Sequence, residues 1–321
     1  MNRHDIHDSH DFFEYVRVDG AAPAAKRSRI DIAILDMNHS WPNLGHDSLV
    51  HLLLEAAESW RDRLVAAGTK IRALSFDIRR KQVIPDPPDG RFGLYVGTGG
   101  PGHLDPRLND GESEPSQGIR ENADWEAPLF RLFDDILSHP TAGLIAVCHS
   151  FGLVCRWSGA AHVELRAEKS SGMPTNVLSA AADDHPWFAR FARQLPDGRH
   201  FRVVDNRLFD LVLDGGDITP IAFERDGSGV VTTAEFARAG AMPRMFGTNH
   251  HPEIVDREHL LLVLEEKRRH GEVTEEWYRE RSNTLEKEMR GEVEQQSRLT
   301  SEYTLAGPLR FHIERLVEER T

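Results

Sequence analysis

The fold is indicated most directly by one stretch of the chain, Leu144-Ile145-Ala146-Val147-Cys148-His149-Ser150-Phe151-Gly152. Its apolar first half predicts a buried β-strand, Cys148 stands where the strand ends, and the residues after it begin a helix. Such a tight turn exposes a side chain at the carboxyl edge of a parallel sheet. A helix N-terminus also favours a thiolate over a thiol. Cys148 is therefore a candidate nucleophile, and the alternative is a structural cysteine buried on a core strand.

The segments on both sides of this stretch alternate between strands and helices. Upstream, strands are predicted over residues 30–35, 71–76 and 92–96, and helices over 48–66 and 125–137. Downstream, the predicted strands crowd together at 163–166, 177–180, 201–204, 208–213, 218–223 and 243–247. This alternation predicts an α/β fold with a doubly wound, mostly parallel sheet, and the crowding predicts antiparallel additions at one side.

The two ends of the chain differ in composition from its middle. Residues 1–28 are rich in Asp and His, and we expect a polar, poorly ordered arm, because its recurring histidines lack the further ligands of a metal site. Residues 29–256 carry the alternating pattern and predict one domain. Residues 257–321 predict a charged helical C-terminal extension. Its helices are predicted over 258–270, 272–302 and 308–319.

The composition narrows the partners and the compartment. The chain has 321 residues and a formal net charge of −13, which argues against a nucleic-acid backbone or an anionic membrane as the main partner. Two cysteines are too few for a disulfide-stapled secreted domain, so we expect a reducing cytoplasm. Neither a signal peptide nor an apolar run of about 20 residues is visible. The sequence predicts no cofactor and no metal ion.

A second segment suited to chemistry is Gly247-Thr248-Asn249-His250-His251-Pro252-Glu253. In an extended chain, residues two apart point to the same side, so His251 and Glu253 can lie together while Pro252 keeps the backbone extended. A carboxylate beside an imidazole fixes its tautomer and stabilises the imidazolium, which a base that activates a thiol requires. The alternative is a histidine-rich strand end on the surface.

A third segment, which follows a predicted strand, is Gly97-Thr98-Gly99-Gly100-Pro101-Gly102. Glycines allow a backbone N–H to come close to a substrate, so this loop could donate hydrogen bonds to an oxyanion. The alternatives are an ordinary loop and a phosphate-binding turn. Nucleotide binding is poorly supported, because the spacing is not Gly-x-Gly-x-x-Gly and no Lys-Ser or Lys-Thr follows.

Taken together, and in this order on an α/β pattern, the three segments resemble the class I (triad-type) glutamine amidotransferases. The resemblance implies a flavodoxin-like sheet. It implies that Cys148 attacks a carboxamide carbon to form a thioester, that His251 moves the proton, and that Glu253 orients His251. It further implies that the backbone N–H groups of Gly100 and His149 hold the oxyanion.

The chain departs from the family's pattern at several positions. Ala146 and Ser150 replace the two glycines of the family's elbow. Gly152 stands where the family has a Gln next to the substrate glutamine, and Asn249 and His250 replace a Gln and a Phe in the third motif. The residues for the chemistry are therefore present, while those that recognise glutamine are not.

The resemblance, which covers roughly residues 29–270, predicts an amide hydrolase or amidotransferase subunit that acts on glutamine or a γ-glutamyl-like amide. No synthase domain is visible, so the ammonia would pass to a separate partner protein or be released. Two alternatives stay open, a non-catalytic relative that binds or regulates, and another cysteine-elbow enzyme, such as a peptidase. The charged C-terminal helices could cover the site, form a homodimer or hold the partner.

Overall fold

The computed structural model of the chain describes residues 10–40, 43–271 and 273–320, without the side chains of residues 259 and 288. Its strands are β1 (Phe13–Val18), β2 (Arg29–Asp36), β3 (Lys70–Asp77), β4 (Phe92–Gly97), β5 (Gly143–Val147), β6 (Ala161–Gly172), β7 (Thr175–Leu178), β8 (His200–Arg202), β9 (Asp205–Leu213), β10 (Thr219–Phe223), β11 (Val231–Ala239) and β12 (Met242–Thr248). Its helices are α1 (Leu44–Glu58), α2 (Arg61–Ala66), α3 (Glu126–Ser138), α4 (His149–Ser158), α5 (Ala180–Asp183), α6 (Phe188–Ala192), α7 (Arg257–Arg269), α8 (Glu275–Glu288), α9 (Glu292–Ser301) and α10 (Gly307–Arg320).

A ten-stranded sheet runs through the molecule in the order β1-β3-β2-β4-β5-β12-β11-β10-β7-β8. Neighbouring strands are parallel from β1 to β12. Beyond β12 they are antiparallel. Strands β6 and β9 form a separate antiparallel pair, which we call the β6–β9 ribbon. This arrangement confirms the predicted α/β fold with antiparallel additions at one side of a mostly parallel sheet.

Two apolar layers cover the sheet, and β2 explains why its sequence is apolar throughout. Ile30, Ile32 and Ile34 lie in the layer that also contains apolar residues of α1 and α10. Ala33 and Leu35 lie in the opposite layer, with apolar residues of α3 and α4. Because successive side chains of a strand point to opposite faces, a strand covered on both sides must be apolar at nearly every position.

The N-terminal region differs from the poorly ordered arm expected over residues 1–28. Strand β1 lies within it and pairs in parallel with β3, and Phe12 and Phe13 are buried. This expectation was wrong for the second half of the arm, because an edge strand needs few buried side chains and its short apolar pattern is hidden among polar residues. Residues 1–9, which include His4 and His7, lie outside the described residues.

The C-terminal extension is helical, as predicted, but its helices occupy different places. Helices α7 and α8 share a small apolar cluster of their own. Helix α10 instead buries Leu309 and Ile313 in the same layer as α1. The helix predicted over 272–302 is divided into α8 and α9 near Gly291, whose φ is +55°. The division of the chain at residues 28 and 256 stays a prediction, although β1 and α10 pack with its middle.

Among the residues that the structure describes, no helix is both long and apolar enough to cross a membrane.

Candidate active site

Cys148 lies between β5 and α4, at the carboxyl edge of the parallel strands. Its backbone has φ +50° and ψ −105°, a conformation that costs a non-glycine residue about 1–3 kcal/mol. Two hydrogen bonds hold it there: its N–H donates to the Thr248 carbonyl at 2.7 Å, and its carbonyl accepts from the Gly152 N–H at 3.0 Å. The strained turn directs a half-buried thiol out of the sheet edge.

His251 and Glu253 follow β12, the strand next to β5. The His251 Nδ1 lies 2.8 Å from Glu253 Oε1, and both residues are buried. Burial alone would lower the pKa of His251, but the charges and hydrogen bonds of Glu253 and Cys148 raise it well above its ordinary value. Because Nδ1 faces Glu253, Nε2 is the nitrogen left for the thiol. The structure thus brings together the three residues singled out in the sequence.

The Glu253 carboxylate rests against the first turn of α1. A Cβ added to Gly45 would come within 2.6 Å of Glu253 Oε1, so only glycine leaves the carboxylate this space. The partial positive charge of a helix N-terminus favours an anion there. The other oxygen, Oε2, has no hydrogen-bond partner among the described residues, and Glu253 also lines a cavity of about 40 Å³ beside Ser48 and Asp256. No sequence pattern around Gly45 indicates this contact.

The glycine-rich loop, residues 97–102, lies against both Cys148 and His251. A Cβ on Gly99 would come within 2.9 Å of His251 Cε1 and 3.5 Å of Cys148 Cβ. The loop is tied to the elbow by Ser150, whose hydroxyl and N–H both donate to the Thr98 carbonyl, at 2.6 and 3.2 Å. Ser150, a departure from the family's glycine, thus contributes a contact that glycine could not make.

Gly100 and His149, the expected oxyanion donors, also meet in this region. The buried His149 side chain forms a hydrogen bond with the Gly100 backbone. Burial nevertheless lowers the pKa of His149 well below its ordinary value, and Arg79 lowers it further. The Arg79 guanidinium donates to the carbonyls of Met37 and Pro101, at 2.9 and 2.6 Å, and pairs with a buried Glu121. Arg79 and Glu121 were not indicated by any motif, because they act on the loop from a distant part of the chain.

No three His, Cys, Asp or Glu side chains of the described residues lie close enough to hold a metal ion.

Solved structures with a related arrangement give the fold a name. A glutamine amidotransferase from Thermotoga maritima covers 92% of this chain and 100% of its own, at 16% sequence identity and a TM-score of 0.51. The chain has the fold of a glutamine amidotransferase. No family model and no curated protein sequence matches it. At this sequence identity the likeness concerns the fold alone, so the chemistry has to be argued from the site.

Two further crystal structures are less similar to this amidotransferase fold. One is a putative GMP synthase component from Thermoplasma acidophilum, with 15% identity, 70% of this chain and 85% of its own covered, and a TM-score of 0.44. The other is a glutamine amidotransferase from Methylobacillus flagellatus, with 13% identity, 73% and 74% covered, and a TM-score of 0.45.

Within the amidotransferase fold, Gly152 is the departure with the clearest structural consequence. A Cβ at this position would come within 2.5 Å of Leu104 Cδ1. Leu104 is buried and belongs to the apolar layer over α3 and α4. An apolar side chain therefore fills the space that a longer side chain at residue 152 would need.

His250 lies beside His251 but is placed as a packing residue. Its ring is fully buried and its centroid lies 5.7 Å from that of Phe201. Burial lowers its pKa well below the ordinary value, and the charges of Arg207 and His251 lower it further. Neither ring nitrogen has a hydrogen-bond partner among the described residues. A neutral, aromatic role agrees with the Phe that the family has at this position.

Cys148 is expected to react with iodoacetamide, and Cys155 is not. Cys155 is fully buried in α4, and its burial raises the pKa of the thiol, whereas Cys148 is half-buried at the elbow. Limited alkylation of the folded protein, followed by peptide mass mapping, measures the two rates. A Cys155→Ser variant serves as the matched control and should label as the wild type does. Labelling chiefly at Cys155 would contradict the placement of the nucleophile.

Proposed function

We propose that this chain is a cysteine-dependent amide hydrolase of the glutamine amidotransferase type, with Cys148, His251 and Glu253 as its catalytic residues. The proposal is carried by one observation, the continuous hydrogen-bonded chain from the Cys148 thiol through His251 to the Glu253 carboxylate. A thiol needs such a base, because the thiolate is the nucleophile. The strained backbone at Cys148 supports the assignment, since such strain clusters at active sites.

In the proposed reaction, the Cys148 sulfur bonds to the carboxamide carbon while the thiol proton passes to His251. The carbonyl electron pair moves to the oxygen, which accepts hydrogen bonds from the backbone N–H groups of Gly100 and His149. The C–N bond then breaks, and His251 returns the proton to the departing ammonia or amine. Water attacks the thioester with His251 as base, which yields a carboxylate and the free thiol. A positioned acid–base group contributes about 10²–10⁴ in rate, and an oxyanion donor about 10²–10³.

Free glutamine is not the substrate that this site favours. The position where the family has a Gln is Gly152, and Leu104 fills the adjoining space. A lost hydrogen bond to a charged ligand group costs about 1.5–3 kcal/mol, or roughly ten- to a hundredfold in binding. A larger amide, or an ammonia-accepting partner protein that orders the site on docking, would supply other contacts. We place this activity in the cytoplasm, where thiols stay reduced.

The purified chain is expected to release ammonia slowly from glutamine and faster from a larger γ-glutamyl amide, with kcat/KM higher by about tenfold or more. Ammonia and amine release from a panel of amides measures this difference. Cys148→Ala is expected to lose all turnover and Cys155→Ser to keep it. The double variant Leu104→Ala, Gly152→Gln makes room for the missing amide and is expected to lower the KM for glutamine.

Two results would contradict different parts of the proposal. Rapid, saturable ammonia release at low glutamine concentration would contradict the account of Gly152 and Leu104. If no amide is turned over, and an electrophilic glutamine analogue leaves Cys148 unmodified, the chain is not a hydrolase. The second candidate function, a non-catalytic binding or regulatory protein, is favoured by the filled space beside Gly152, and it predicts that second result.

A further inference from the structure

The β6–β9 ribbon reaches the active site at one of its ends. There, the Ser170 hydroxyl donates to Asp205 Oδ2 at 2.6 Å, and Gly172 pairs with Asp205 in the ribbon. The preceding residue, Val204, accepts the hydrogen bond of the His251 N–H at 2.8 Å. Residues near Ser170 are therefore held close to the proposed catalytic histidine by the backbone itself.

A large bulge lies at this end of the ribbon. Leu165 pairs with Phe209 and Ser170 with Arg207, so residues 166–169 stand opposite Leu208 alone. Bulges redirect side chains, and they occur frequently beside active sites. Lys169 is the last residue of the bulge, and its ammonium group lies within range of the Cys148 charge.

Lys169 meets a second cation there, Arg281 of α8. Burial lowers the pKa of Lys169 and the charge of Arg281 lowers it further, while Glu280 and Cys148 act in the opposite direction. The Arg281 guanidinium lies 5.8 Å from the centre of the Trp277 ring, which limits its orientation. Two like charges near one another repel, and an anion between them would relieve the repulsion.

The other cations of the ribbon are neutralised by carboxylates. Arg166 lies 2.5 Å from Asp210, and Arg207 lies 2.9 Å from Glu224. In contrast, neither Lys169 nor Arg281 lies within ion-pair distance of a carboxylate among the residues whose side chains are described. In a chain with a net charge of −13, an uncompensated pair of cations beside the nucleophile is the feature that needs an explanation.

We propose that Lys169 and Arg281 bind a carboxylate of the substrate, next to the carboxamide that Cys148 attacks. An ammonium and a guanidinium together suit a carboxylate, which accepts charge-assisted hydrogen bonds from both. The inference rests on the proposed function and narrows it to amides that carry a negative charge, such as the α-carboxylate of a γ-glutamyl amide. It also gives α8 a role, because the C-terminal helices then supply part of the substrate site.

Alkylation of Cys148 by two reagents of similar size tests the proposal. Iodoacetate is anionic and iodoacetamide is neutral, so the ratio of their rates reports the local positive charge. Lys169→Met and Arg281→Met are each expected to lower the iodoacetate rate by about threefold to tenfold more than the iodoacetamide rate. Arg279→Met, on the same helix, is the matched control and should leave the ratio unchanged. Added salt should reduce the wild-type ratio.

A second measurement does not depend on a reactive thiol. Calorimetric titration of the Cys148→Ala protein with glutaric acid monoamide, which has one carboxamide and one carboxylate, is compared with titration by neutral butyramide. The monoamide is expected to bind more tightly, and Lys169→Met should lower its affinity by about tenfold without affecting butyramide. An unchanged reagent ratio in both variants, or equal binding of the two amides, would overturn the proposal. Failure of both reagents to label Cys148 would instead count against the proposed hydrolase, while the titration still decides on the anion site.

Discussion

His251→Ala is expected to remove nearly all Cys148-dependent turnover, by about 10²–10⁴-fold in kcat. The reason is that His251 is the proposed acceptor of the thiol proton and the donor to the leaving group. It is held for this by Glu253 Oε1 at 2.8 Å and by its N–H bond to the Val204 carbonyl. Amine or ammonia release from the best substrate of the panel measures the loss.

Glu253→Gln is expected to reduce turnover less than His251→Ala, because Glu253 orients and stabilises His251 without moving a proton itself. Glu253 is the strongest of the groups that raise the pKa of His251, so its neutralisation should lower that pKa. The thiolate then loses part of its cationic partner, and the pH midpoint of Cys148 alkylation should move upward. The midpoint is measured with iodoacetamide over a pH series.

The neighbouring histidine provides the matched control for both variants. His250 is fully buried and packs on Phe201, so His250→Phe replaces one ring with another and should keep turnover within a few-fold of wild type. Full activity in His251→Ala would remove the triad from the proposal. A large loss in His250→Phe would show that the assay responds to packing near the site and not to proton transfer.

Gly100→Ala is expected to lower kcat by about 10²–10³-fold, the magnitude associated with loss of one oxyanion donor. A Cβ on Gly100 would collide with the Met37 carbonyl, a backbone group that cannot turn aside. The loop must therefore move, and the Gly100 N–H moves with it. Because the donor acts mainly in the transition state, KM should change less than kcat.

Thermal unfolding separates this effect from a loss of folding. Gly20→Ala is the control, because nothing lies within 4 Å of the added Cβ and the backbone there requires no glycine. Both variants should unfold in a single transition, and only Gly100→Ala should lose activity. A folded Gly100→Ala protein with wild-type kcat would exclude the Gly100 N–H as an oxyanion donor.

The sequence by itself determined the fold class and the order of its main elements. The apolar strands 30–35, 71–76, 92–96 and 143–147 are visible because a strand buried on both faces is apolar throughout. Cys148 and the His251–Glu253 pair could be found for a local reason: an elbow and an i, i+2 spacing are properties of a few consecutive residues. Their functional roles remain proposals, although the structure brings them together.

Only the tertiary structure decided the features that depend on contacts between distant segments. Strands β1 and β11 escaped prediction because polar residues interrupt their apolar pattern, and pairing with a neighbouring strand is what makes them strands. The contact of Gly45 with Glu253, the filling of space beside Gly152 by Leu104, and the meeting of Lys169 with Arg281 likewise join residues far apart in the chain. No short pattern encodes such contacts, because they arise only when the packed layers fix which side chains share a space.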